Sequence, residues 1–369
     1  MKFFASKEAL LPAIMSVSGV VEKKQTMPVL SNLMLHAAEG SLTITSTDLD
    51  IEMKANCVVD VQTPGTTTLP AKKLLDICRN LSDDVTIEID CVNENTAMLK
   101  AGRGRYKLQT LPADEFPNLE NVDYQFELTI AQYQLQKLFS RTQFSMALQD
   151  VRYYLNGLLL EISDKKLRAV ATDAHRLSLA DASIDFSAPE LSQYILPRKA
   201  VLELSRIFND NEDLVSVRFG RNHLTFTLPD VVFTTKLVDH KYANYEKAIP
   251  DMAACEYKVI IDRTSLQQML TRVSVLSQEK IKGVSLHFEN NLLTIKSYNN
   301  ENEEAEEAMD IEFSGDAFTL TFNASYVSDF LSTSETETVT LYSSKANSST
   351  VITDTGTSEH LYVVMPMKF

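Results

Sequence analysis

The sequence contains no apolar run near the ~20 residues that a membrane-spanning helix requires. Its apolar content of 44% is ordinary for a soluble globular protein. Its four cysteines, Cys57, Cys78, Cys91 and Cys255, lie far apart and form no CxxC pair. Three of them fall in apolar patterns, which reads as reduced, buried thiols rather than a disulfide framework or a zinc site. There is no excess of positive charge. The net charge of −15 excludes a protein that coats nucleic acid with a broad basic surface. Residues 1–125 carry −5, residues 126–250 carry 0 and residues 251–369 carry −10, so any nucleic-acid contact must come from a local patch.

Signatures of catalysis are equally scarce. The six histidines are scattered, with no HExxH and no pair at metal-ligand spacing. Gly102-Arg-Gly-Arg-Tyr106 is not followed by GK[ST] and reads as strand, not as a phosphate-binding loop. No GxSxG nucleophile turn occurs. Thr172-Asp-Ala-His-Arg176 has the residue types of a catalytic or metal cluster, but equally those of a hydrogen-bonded turn after a strand. The start, MKFFASKEALLPAIM, resembles a signal peptide only faintly. Lys7 and Glu8 interrupt its apolar part, so the expectation is a mature, cytoplasmic start.

What the sequence does contain is repetition. LPAKKLLDICRNLSDDVTIEI from Leu69, LPRKAVLELSRIFNDNEDLVSVRF from Leu196 and FNASYVSDFLSTSETETVTLYS from Phe322 are three versions of one unit. Each has apolar residues at helical spacing: Leu74, Ile77, Cys78 and Leu81; Val201, Leu204 and Phe208; Val327, Phe330 and Leu331. A polar turn and an alternating strand follow each. A second helix repeats as well. Leu10, Ala13, Ile14 and Val17 correspond to Leu135, Leu138, Phe139 and Thr142, and to Leu266, Met269, Leu270 and Val273. Pro12 predicts a late start or a kink in the first copy. Thr129-Ile-Ala-Gln132 predicts a capping box for the second.

Between the helices lie paired strand-like runs at 33–37 and 41–45, at 157–162 and 167–171, and at 284–288 and 292–295. The fold class is therefore α+β, with three tandem similar domains of two helices plus antiparallel sheets. The expected boundaries give domains 1–124, 125–250 and 251–369. A repeat of this length is a domain in itself, too long for a solenoid unit.

Basic residues return to the outward faces of these helices. Lys72, Lys73 and Arg79 on one copy match Arg198, Lys199 and Arg206 on the next, and Arg141 matches Arg272. The plain reading is solvated helix surface with a few i,i+4 pairs. The functional reading is a positive surface facing phosphates, which binds DNA without regard to sequence. The third copy carries Ser325 and Ser332 instead, so its lining is expected to be weaker. The acidic run Glu301-Asn-Glu-Glu-Ala-Glu-Glu307 reads as a solvated loop or strand edge, or as the partner of the basic strand containing Arg103 and Arg105. Two molecules meeting that way, head to tail, build a filament or a closed ring.

The whole chain resembles the beta sliding clamps of bacterial DNA polymerase III. The resemblance is carried by TQFSMALQDVRYYLNGLLLE (142–161), VATDAHRL (170–177), FTTKLVD (233–239), EEAEE (303–307), FNASYV (322–327) and YVVMPMKF (362–369). It implies a clamp fold in which two chains form a six-domain ring, with helices lining a hole for duplex DNA and no active site or cofactor. It implies a homodimer contact that includes Arg103, Arg105, Tyr106 and Leu108 from one chain. Val275, Leu276, Glu303, Glu304, Glu306 and Glu307 come from the other. It also implies DNA contacts at Lys24, Gln149 and Tyr153.

A groove for short peptides of DNA polymerase subunits, clamp loader and repair proteins is implied between the second and third domains. From the second domain it draws Arg152, Tyr154, Leu155, Thr172, Ala174, His175, Arg176, Leu177, Ala243, Lys247 and Ala248. From the third it draws Asn323, Tyr326, Ser349, Val363, Met365, Pro366, Met367 and Lys368. On their own residues, 363–367 read equally as a plain core strand. The chain departs from the family pattern at Leu148 for His, Ala174 for Gly, Tyr242-Ala-Asn-Tyr245 for FPDY and Lys368 for Arg, which implies a shifted peptide preference. Two other functions compete: an enzyme using Asp173 and His175, and a peptide-binding scaffold with no DNA role.

Overall fold

A computed structural model describes residues 1–21, 27–93, 95–119, 123–186, 191–278, 282–344 and 349–367. Six α-helices occur among them: α1 (Lys7–Val17), α2 (Ala71–Asn80), α3 (Gln132–Ser140), α4 (Arg198–Ile207), α5 (Arg263–Val273) and α6 (Ala324–Thr333). Each repeat thus contributes two. The apolar positions face inward as the spacing predicts. Leu10, Ala13, Ile14 and Val17 of α1 are buried, as are Leu266, Met269, Leu270 and Val273 of α5. Val327, Phe330 and Leu331 of α6 are buried too.

The late start expected for α1 and the capping box expected at Thr129 are not found. Helix α1 does not start late: Ser6 accepts a hydrogen bond from the Ala9 N–H, and the helix runs through Pro12. The cap at Ser6, ahead of Pro12, fixes the start, and the proline leaves one carbonyl without its usual donor. Thr129 caps no helix, because it lies within the strand Tyr124–Ala131 opposite Ser216. Gln132 instead uses its Oε1 to accept the Asn209 N–H at 2.6 Å. The four cysteines are free, but only Cys78 is fully buried; burial pushes the Cys57 and Cys78 thiols up to about 11.

Among the described residues the strands form four antiparallel sheets, and two of these join neighbouring repeats. In one eight-stranded sheet, Tyr124–Ala131, Leu214–Gly220, His223–Thr227 and Val231–Lys236 of the second repeat continue into the first. There they meet Ile51–Val58, Ser41–Thr47, Asn32–Ala38 and Gly65–Pro70. The seam pairs Val231 with Ala55 and Thr235 with Ile51. In the other, Ser192–Pro197, Gly157–Ser163, Lys166–Thr172 and Arg176–Ser183 of the second repeat continue into the third. There they meet His360–Val364, Thr350–Asp354, Thr338–Ser343 and Tyr257–Asp262. That seam pairs Arg176 with Val364 and Ala180 with His360.

The chain accordingly divides into two compact units. One comprises residues 1–133 and 202–237; the other comprises 134–201 and 238–369. The first unit also holds a five-stranded sheet that ends on Gly104–Gln109, and the second a four-stranded sheet that ends on Glu304–Asp310.

Candidate functional site

The turn Thr172–Arg176 links Lys166–Thr172 to Arg176–Ser183. Its two polar side chains serve the backbone. Asp173 Oδ1 accepts the N–H groups of His175 at 2.9 Å and Arg176 at 3.0 Å. Thr172 Oγ1 donates to the Arg176 carbonyl at 2.6 Å and accepts the Ala174 N–H at 3.1 Å. These are the Asx and Ser/Thr turn bonds that such residues favour. They engage the Asp173 carboxylate that a catalytic role requires. Among the described residues no three His, Cys, Asp or Glu side chains could hold a metal.

Ala174 adopts φ +73°, a left-handed conformation that costs a residue with a Cβ about 1 kcal/mol. Ala174→Gly should therefore raise unfolding stability by up to about 1 kcal/mol, read from the urea midpoint. An unchanged or lower midpoint would show that the turn carries no such strain.

The C-terminal strand meets this turn. The Met365 N–H donates to the His175 carbonyl at 2.9 Å, which continues the seam one step past Val364. A pocket of about 60 Å³ opens there, lined by Thr172, Ala174, His175, Arg176, Leu177, Ala248, Ser349, Val363 and Met365. Leu177 and Val363 are buried in one cluster with Leu159, Tyr242 and Tyr245, and Tyr154 packs on it. Tyr154 also stacks on His240, with ring centroids 4.8 Å apart. Met365, just past the strand, is an open apolar side chain at 48% exposure.

Arg176 is held from several directions. It bonds to Asp173 at 3.1 Å, Asp329 at 2.6 Å and the Phe144 carbonyl at 2.6 Å, and its guanidinium lies 4.2 Å from the Tyr326 ring centre.

Other expected groove residues lie outside this pocket. Leu155 is buried in the short 3-10 turn Tyr153–Asn156. Arg152 is tied to Asp150 through two bonds of 2.9 and 2.8 Å, and this guanidinium holds the Asp150 carboxyl down to about 2. Asn323 caps α6 by accepting the Ser325 N–H. Lys247 is exposed, and Ala243 and Pro366 are half-buried. The Met367 N–H donates to the Thr321 carbonyl at 2.7 Å. Lys368 lies outside the described residues.

The basic helix faces separate into free and engaged groups. Lys72, Lys73 and Arg79 are exposed on α2, and none pairs with a carboxylate among the described residues. Arg206 is exposed beside Glu203 at 3.2 Å. Arg198 is half-buried and donates to the Met146 carbonyl at 3.1 Å, and Lys199 is half-buried.

Arg141 corrects the surface expectation. It is only 9% exposed and lies 3.4 Å from Glu335, while its carbonyl accepts from Ser178 and faces His360. A buried guanidinium paired with the half-exposed Glu335 is not free for phosphate. Gln149 (φ +58°) and Tyr153 stand exposed on a loop. Leu148 and Val151 are also exposed there, a patch for which the sequence offers only the odd residue at 148. Lys24 lies outside the described residues.

The basic and acidic strands are both sheet edges. Among the described residues Gly104–Gln109 pairs only with Thr96–Ala101, and Arg105, Tyr106 and Lys107 are exposed on it. Arg103 is exposed in the turn just before it. Leu108, on the same strand, is buried at 5% exposure. Among the described residues Glu304–Asp310 pairs only with Leu292–Tyr298. Glu307 is held by Arg272 through bonds of 2.7 and 2.5 Å, and Glu306 by Lys296 at 2.6 Å. Glu303 accepts from Asn299 at 2.7 Å, and Glu304 is exposed. Val275 is 76% exposed and Leu276 half-buried in the 3-10 turn after α5.

Comparison with known proteins matches this arrangement along the full chain. Models of the N-terminal, central and C-terminal domains of the DNA polymerase III beta subunit match residues 1–120, 129–244 and 247–368. The beta sliding clamps of Pseudomonas aeruginosa and Escherichia coli K12 are 42% and 40% identical over 369 residues, covering all of both chains. A crystal structure of the Pseudomonas aeruginosa clamp bound to griselimycin superposes with a TM-score of 0.96 at 42% identity, again over both complete chains. The clamp from Bartonella birtlesii gives 0.95 at 30% identity. With every repeat matched and no part of the chain left over, the protein belongs to the DNA polymerase III beta-subunit family, the bacterial beta sliding clamps.

Proposed function

We propose that this chain, a non-catalytic DNA sliding clamp, pairs head to tail with a second copy to close a six-domain ring around duplex DNA. The sheet pattern carries this reading. At each internal seam, the strand after one repeat's Thr47-type or Thr172-type turn pairs with the last strand of the next repeat's second half. Glu304–Asp310 is the strand of the first kind in the third repeat. Gly104–Gln109 is the strand of the second kind in the first repeat. Both are unpaired edges, and their charges are opposite. Unpaired edges are costly to leave open, and a second chain closes both at once.

The domains are 1–124, 125–250 and 251–369. Their exposed Lys72, Lys73, Arg79 and Arg206 face phosphates, and Arg198, Lys199, Gln149 and Tyr153 contribute further DNA contacts. A ring retains DNA by topology, so a few screened contacts suffice and sliding stays free. The small pocket at Met365 takes an apolar side chain of a partner peptide, with the flanking Thr172 and His175 fixing its backbone. Arg152, Tyr154, Leu155, Ala243, Lys247, Asn323, Tyr326, Pro366 and Met367 belong to the same groove, and Lys368, which the family resemblance adds, lies outside the described residues. Met365→Ala should weaken a partner peptide by about 1–3 kcal/mol in calorimetry. Unchanged affinity would remove Met365 from the site. The clamp works in the cytoplasm at the chromosome. Four free cysteines suit a reducing compartment, and no described helix is long and apolar enough to cross a membrane.

Retention is the direct test. Loaded clamps should stay on nicked circular DNA through gel filtration and run off after the DNA is cut once. Equal loss from both would contradict encirclement.

A further inference from the structure

The first unit holds a pocket of about 590 Å³ between α1, the end of α4, and the seam strands Ile51–Val58 and Val231–Lys236. Apart from Arg206, none of the residues assigned a role above lines it.

An internal comparison explains why it is open. The turn after Thr47 repeats the Thr172 turn bond for bond. Asp48 Oδ1 accepts from Asp50 and Ile51, and Thr47 Oγ1 donates to the Ile51 carbonyl. Leu49 has φ +82° where Ala174 has +73°. Eight residues on from each threonine stand Ala55 and Ala180, and opposite them Val231 and His360. The helix equivalences place Pro12 on Lys137, Ser16 on Arg141 and Asn209 on Glu335.

At the second–third seam these four positions are filled by long charged or aromatic groups. Lys137 lies 2.8 Å and Arg141 3.4 Å from Glu335, and His360 lies 3.3 Å from Asp354. At the first–second seam the same positions carry Pro12, Ser16, Asn209 and Val231, all of which line the pocket. The equivalents of Lys137 and Arg141 are missing there, Arg206 is the one basic side chain among the described lining residues, and acids remain. Glu8, Asp213 and Asp230 line the pocket and are exposed, and none forms an ion pair among the described residues. Glu203 is satisfied by Arg206. Pro12, Met15, Ile207 and Pro229 supply apolar wall.

We propose that this pocket binds a linear aliphatic polyamine, which replaces the cations that fill the equivalent space at the other seam. Ammonium groups pair with the separated carboxylates, and the methylene chain lies on Pro12 and Met15. Charge complementarity selects a cation, and the volume lies in the range of small-ligand sites. The carboxylates do not converge as a metal site requires, since no metal-holding group of three occurs among the described residues.

The test uses spermidine as the probe on the full-length protein at physiological salt, read by methionine-methyl NMR and calorimetry. Spermidine should shift the Met15 methyl signal saturably, and magnesium at equal charge should not. Glu8→Gln with Asp230→Asn should weaken spermidine about tenfold. Ser16→Arg, which restores the arginine of the other seam, should block it. Both Glu8 and Asp230 are exposed, so the double variant remains informative if the arginine variant does not fold. An unmoved Met15 signal, or equal affinity in wild type and the double variant, would overturn the proposal. The latter result would assign binding to the overall −15 charge instead.

Discussion

Arg103→Glu combined with Arg105→Glu is expected to dissociate the dimer. Both side chains are exposed at the free edge formed by Gly104–Gln109, and neither pairs with a carboxylate among the described residues. The acidic edge that should face them already uses Glu306 and Glu307 on Lys296 and Arg272. The attraction therefore rests on Glu303, Glu304 and the unneutralised remainder of the run. Reversing two charges replaces attraction by like-charge contact, which costs several kcal/mol at an interface. A cost of about 3 kcal/mol weakens the dimer more than a hundredfold. Sedimentation at micromolar concentration should then show the single chain. Adding salt should narrow the gap between variant and wild type, because exposed charges are screened. A wild-type dimer constant would place the contact elsewhere.

The second large effect belongs to Arg176. Its guanidinium joins the turn of the second repeat to Asp329 and Tyr326 of the third, with a further bond to the Phe144 carbonyl. Removing one partner of a largely buried pair leaves the others uncompensated. Arg176→Ala should cost about 3–5 kcal/mol and speed amide exchange along Arg176–Ser183 and His360–Val364. Peptide binding should fall with it, because the pocket wall depends on that seam. Arg176→Lys should recover part of the stability but not the bonds that need a planar fork. A loss below about 1 kcal/mol for the alanine variant would show that the network is not needed to hold the seam.

Much of this architecture is legible in the residue pattern. The helix periodicities at Leu10, Leu135 and Leu266, and at Leu74, Leu204 and Phe330, are strong because each helix buries one face on a sheet. The hairpins at 33–45, 157–171 and 284–295 are legible because alternation and a short turn specify local pairing. Non-local partners are not written this way. Nothing near Arg141 in sequence announces Glu335 or His360, so an outward-looking basic position proves to be a buried guanidinium paired with Glu335. Leu108 alternates with exposed neighbours, and only the sheet shows which face is covered.

At Pro12 and Thr129 a local rule lost to a neighbouring cap and to a longer strand. The turn at Thr172 could be read as a turn, but its meeting with Met365 depends on a seam between segments almost two hundred residues apart. Only family resemblance linked the two beforehand. The pocket at the first–second seam could not be foreseen at all, since it is defined by what small residues fail to fill.

The central claim is closure, and solution mass tests it most directly. Light scattering across a wide concentration range should give a stable species at twice the 41.4 kDa chain mass, with no larger polymer. A persistent single chain, or a mass that grows with concentration, would mean that the two open edges do not close a ring.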